Sequence, residues 1–80
     1  MRSYLRELEQ LVRLAVAKKL QKTYPVSTSL IVQIRLDNRC LLRNEFDELV
    51  WALGGTPVDP GKRFREVVLV EPYEYRAATL

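Results

Sequence analysis

The segment VSTSLIVQIRLDNRC, residues 26–40, supports two incompatible structures. Read with a period of two, Leu30, Val32, Ile34 and Leu36 share one face, and the Val, Ile and Thr content suits a pleated strand. Read as a helix, Ser27 or Thr28 caps the start, and Leu30, Ile31 and Ile34 make a short inward face. Local propensity favours the strand. The segments that follow favour the helix.

On the N-terminal side, Leu5, Leu8, Val12, Val16 and Leu20 recur at three- and four-residue steps, with Leu11 and Ala15 widening the stripe. That pattern predicts a helix over residues 3–23 with a broad buried face. Ser3 can cap it, Lys18, Lys19 and Lys22 suit the negative end of its dipole, and Pro25 stops it.

On the C-terminal side, RNEFDELVWALGG, residues 43–55, predicts a second long helix. Asn44 is a good N-cap, with Asp47 three residues later standing in for the Glu of a capping box. Phe46, Leu49, Val50 and Leu53 form the inward face, and Gly54 and Gly55 supply a left-handed terminus. The stretch GGTPVDPGKR, residues 54–63, is not a phosphate loop. Counting from Gly55, the second glycine falls one place late at Gly61, and Arg63 stands where a hydroxyl must hold magnesium. Asp59-Pro60-Gly61 instead spells a turn, with Gly61 accepting a positive φ. A short strand at 56–58 then pairs with a strand over 64–71 across the basic loop Lys62-Arg63.

This order of elements resembles the winged helix-turn-helix family. The likeness rests on LLRNEFDEL opening the last helix, with a capping residue followed by acids and Phe, and on the hairpin behind it. It covers roughly residues 3–71. It implies an α+β domain over residues 1–71, with three helices (3–23, about 28–38 and 42–54) and a β-hairpin wing over 56–71, followed by a tail at 72–80. If residues 29–36 are a strand, the chain is instead an α–β–α–β two-layer sandwich. The tail, PYEYRAATL, either extends the sheet, pairs with a second copy, or is disordered.

Eighty residues make one small domain, which buries only about 60% of its unfolded surface. No apolar run approaches the roughly 20 residues of a membrane span, and the N-terminus, which mixes both charge signs, is no signal peptide. A single cysteine, Cys40, excludes an internal disulfide, fits a cytoplasmic setting, and reads as a small buried apolar residue. Nine arginines against four lysines hint at a thermophilic source. Without any histidine, neither a zinc site of the usual kind nor a Ser-His or Cys-His nucleophile can be built. Asp37 and Glu48 have calcium-loop spacing, but arginine and leucines lie between them where oxygen ligands belong. The chain reads as a non-enzyme without metal or cofactor.

Two binding roles remain. The resemblance together with the basic flanks puts first a DNA-associated regulator that contacts the DNA backbone through the wing. A protein-interaction adaptor or subunit is the alternative. The net charge of +3 is uneven: residues 45–60 carry four acids and no base, between basic flanks. The family resemblance implies contact with double-stranded DNA, through Arg39, Arg43 and Asn44 around the last helix and through Lys62, Arg63 and Arg65 of the wing. Against it, that helix turns Asp47, Glu48 and Trp51 outward, and carboxylates repel a polyanion. An exposed Trp rimmed by acids suits a protein partner or a homodimer instead. Alternatively, Trp51 folds over the wing onto Phe64.

Overall fold

A computed structural model describes residues 3–25, 27–36 and 41–80. Two helices and three strands follow in the order α1 (Ser3–Leu20), β1 (Ser29–Gln33), α2 (Arg43–Gly54), β2 (Glu66–Glu71) and β3 (Arg76–Thr79). The strands form one sheet in the order β1-β2-β3, with β1 and β2 parallel and β2 and β3 antiparallel. The α+β class holds. The three-helix body and its wing do not form, and the chain follows the α–β–α–β order with a strand added at its end.

Residues 29–33 are the strand that local propensity favoured. Ile31 decides between the two readings. The helical face needs it buried, yet it is 65% exposed, while Leu30 and Val32 turn inward and Ile34 is buried. Val and Ile on a half-buried pleat override the element order that argued for a helix. Parallel pairing with β2 then runs from Ser29↔Glu66 to Gln33↔Val70. Parallel neighbours require a crossover, and α2 supplies it.

Residues 56–65 form no hairpin with the strand that follows. They are the connection from α2 to β2, without a strand at 56–58. Its turn closes from the Lys62 N–H to the Asp59 carbonyl at 3.1 Å, and the Asp59 carboxylate accepts the N–H groups of Arg63 and Phe64 at 3.0 and 2.9 Å. Gly61 does not take the positive φ; Lys62 does, at 48°. Pro60 at the second turn position and Gly61 at the third, both with negative φ, fit an ordinary turn of the commonest type.

Both helices cover one face of the sheet. Leu5, Leu8 and Val12 of α1 meet Phe46, Leu49 and Leu53 of α2 over Ile34, Leu41 and Leu69. A smaller cluster joins Val16, Phe64 and Val67, with Tyr24 tilted against Phe64 at 5.6 Å between ring centres. Each fully buried side chain here contributes about 1.5–3 kcal/mol. Leu11 and Ala15, expected to widen the buried stripe, are exposed instead. The buried face of α1 is the narrower Leu5–Leu8–Val12–Val16 row, with Tyr4 and Leu20 packed at its ends. On the far side of the sheet Ile31 is exposed, and Val68 and Val70 are half-buried under no described helix.

Charged side chains finish the element ends. α1 stops at Leu20 rather than 23, where the Arg63 guanidinium donates to the Leu20 carbonyl at 2.6 Å. α2 is capped by Glu45, not Asn44: its carboxylate accepts the Leu42 N–H at 3.0 Å, three residues back. Asn44 lies inside the first turn, so the expected pairing with Asp47 does not arise. Gly54 closes the helix and Gly55 keeps a right-handed φ of −70°, so no left-handed glycine ends it. Pro57, which cannot continue a helix, follows two residues later. The tail extends the sheet as β3, and the buried Glu71 carboxylate holds its turn by accepting the N–H groups of Tyr73 and Glu74, both at 2.9 Å.

Candidate protein-interaction surface

The residues singled out for DNA contact do not converge. Arg43 and Asn44 are exposed in the first turn of α2, while Lys62 and Arg65 are exposed on the loop beyond its other end. A twelve-residue helix separates these groups by about 18 Å. Asp47 and Glu48 lie on the helix between them. Lys62 and Arg65 share an open cleft of about 610 Å³ with Asp59, Glu66 and Leu80. Arg63 belongs to neither group, because its guanidinium is held by the end of α1. Arg39 and Cys40 lie outside the described residues.

The residues singled out for a protein partner do come together. With Phe46, Leu49 and Leu53 buried, helical geometry turns Asp47 and Trp51, one turn apart, to the opposite side. Glu48 is half-buried beside them. Trp51 is 81% exposed and does not fold onto Phe64, which packs against Tyr24 instead.

Asp47 also lines a cleft of about 450 Å³ with Arg43, Phe46, Tyr75, Arg76 and Ala77. Here α2 meets the edge strand β3 and the turn that leads into it. The Arg76 guanidinium is fixed by a 2.9 Å hydrogen bond to the Leu41 carbonyl, on the chain entering α2. Tyr75, 93% exposed, sits at a positive φ of 55° in the turn that Glu71 organises. Reasoning from sequence missed Arg76 and assigned Tyr73 and Tyr75 no site. The aromatic pair in PYEYR was the available signal.

Trp51, Tyr75, Arg43 and Arg76 thus surround one acidic turn of helix. Such a surface can seat an apolar group and order hydrogen bonds around it. Among the described residues no three His, Cys, Asp or Glu side chains converge. No described helix is long and apolar enough to cross a membrane. No protein-family model, no curated protein and no solved structure matches this chain.

Proposed function

We propose that this chain is a protein-interaction module, an adaptor or subunit rather than an enzyme, that binds its partner on the outer face of α2 and the adjoining cleft. One observation carries it: the only tryptophan of the chain is 81% exposed. A Trp side chain buries roughly 150–250 Å² when covered, and at about 25 cal/mol per Å² that is several kcal/mol left unrealised in the free chain. Trp, Tyr and Arg are also the residue types that dominate binding energy at protein interfaces. Asp47 and Glu48 beside the indole select a partner that offers an apolar pocket rimmed by cations.

The test is cross-linking of the tagged chain in its native cytoplasm, comparing wild type with Trp51→Ala and with Asp47→Lys/Glu48→Lys. A partner held by wild type and lost from both variants, each with an unchanged circular dichroism spectrum, supports the proposal. A partner retained by Trp51→Ala overturns it, as does a cooperative loss of structure in that variant.

DNA contact is the second reading, favoured by the exposure of Arg43, Lys62 and Arg65. It requires duplex binding that weakens steeply with salt, and a shallower salt slope in Lys62→Ala/Arg65→Ala. Such binding, left intact by Trp51→Ala, replaces the protein-partner reading.

A further inference from the structure

We propose that the solvent face of α1 pairs with the same face of a second copy of this chain, the two helices running antiparallel. This contact is separate from the α2 surface and does not depend on it. Glu7, Leu11, Leu14 and Lys18, all exposed on α1, are spaced four, three and four residues apart. That is the seam spacing of a coiled coil. The seam is distinct from the face that α1 turns into its own domain, Leu5, Leu8, Val12 and Val16. Its two central leucines are 61% and 57% exposed, and the small side chains of Ala15 and Ala17 beside them are exposed as well. Short flanking residues let two helix axes approach closely.

The charges choose the occupant and its direction. A two-fold axis passing between Leu11 and Leu14 sets each Leu11 against the other copy's Leu14. The same axis sets Glu7 against Lys18 at both ends of the seam. A parallel pair would place Glu7 on Glu7 and Lys18 on Lys18, four like charges in two repulsive contacts. The face is therefore complementary to itself only when the second helix is reversed, which is the condition for an isologous dimer. Antiparallel helices also bring opposite dipole ends together. The open sheet face around Ile31, Val68 and Val70 is also apolar. Glu66 is the single charged strand residue on it, so it offers no opposite-charge pair to orient a second copy. With a seam of only two leucines per helix, the affinity expected is about micromolar.

Sedimentation equilibrium of the full chain over a range of concentrations tests this. The wild type is expected to reach twice its 9.3 kDa mass, and Leu14→Glu to stay monomeric with the same circular dichroism spectrum. Glu7→Lys alone or Lys18→Glu alone turns two attractive contacts repulsive and weakens association about tenfold. The two changes combined in one chain restore it, because the reversed charges again face each other. Restoration is specific to the antiparallel register, since a parallel pair would keep its like-charge contacts in every variant. A chain that is monomeric at roughly millimolar concentration overturns the proposal. So does a dimer that survives Leu14→Glu, which would place the contact elsewhere, or a double reversal no tighter than the single ones. Leu14→Glu leaves Trp51 untouched, so loss of the dimer and loss of an α2 partner are separate results.

Discussion

Replacing Glu71 by Gln isolates one buried carboxylate whose whole role is to hold a turn. Glu71 is 1% exposed at the end of β2, and its two oxygens accept one backbone N–H each, from Tyr73 and Glu74. Gln has nearly the same shape but only one acceptor, and its NH₂ group must face the second backbone N–H. One charge-assisted hydrogen bond is lost, and a buried donor is left without an acceptor. Together these cost about 2–3 kcal/mol. For a domain of this size that lowers Tm by roughly 10–20 °C. The loss should be localised: the turn at 72–75 loosens, and β3 exchanges its amides faster, as does Leu80 just beyond it, which donates to the Val67 carbonyl at 2.8 Å. Thermal and urea unfolding followed by circular dichroism give the magnitude, and hydrogen exchange gives the place. Glu66→Gln, five residues earlier on the same strand, is the control. Its carboxylate is exposed and accepts only a 3.3 Å contact from the Ser29 hydroxyl, so a change within about 0.5 kcal/mol is expected. If Glu71→Gln costs no more than Glu66→Gln, the turn is not held by that carboxylate.

Arg63→Ala removes the donor to the last carbonyls of α1 and should cost about 0.5–1.5 kcal/mol, with faster exchange in its last turn and no change in β3. Leu49→Ala empties a fully buried position between the helices and sheet, and should cost about 2.7–5 kcal/mol. A chain of 80 residues has only about 4–12 kcal/mol in total, so its urea midpoint should fall by roughly a fifth at the least.

Where a segment's burial follows from its own periodicity, the sequence was readable. Phe46, Leu49 and Leu53 are buried as their spacing requires, and Leu30, Val32 and Ile34 alternate as a strand should. The helical reading of residues 28–38 came from the elements around them, and it failed because β-branched side chains decide a half-buried strand locally. β3 was not legible. RAAT has little strand propensity, and what orders it is pairing with β2 and a turn fixed by Glu71. The role of Arg63 was equally hidden, since its acceptor Leu20 lies 43 residues away in the chain. Leu11 misled for another reason: periodicity finds apolar positions but does not say whether one helix face or two will be covered. Its counterpart Leu14, on the same exposed side, completes a seam that period alone could have revealed. For the candidate surface, the outward set Asp47, Glu48 and Trp51 was legible, while Arg76 and the placement of Tyr75 depended on β3.

The use the fold makes of its charges bears on which partner it suits. Arg13 donates to the carbonyls of Thr56 and Ala52 while contacting Glu9, Arg63 caps α1, and Arg76 holds Leu41. Three arginines that count toward the basic balance are thereby tied to backbone carbonyls of their own chain. A guanidinium engaged at 2.6–2.9 Å keeps its other N–H donors, but its position is set by that carbonyl. Among the described residues, only Arg13 of the three is paired with an acid, Glu9 at 3.0 Å. The apolar surface points the other way. Leu11, Leu14, Trp51 and Tyr75 are exposed on well-formed elements whose other faces are packed, so turning them inward would mean unpacking the core. A domain this small gains stability from any contact that covers such residues, because binding that selects the folded state adds RT ln(1 + [L]/Kd) to it. Protein surfaces meet that need with shape and apolar area, whereas a phosphate backbone offers chiefly charge.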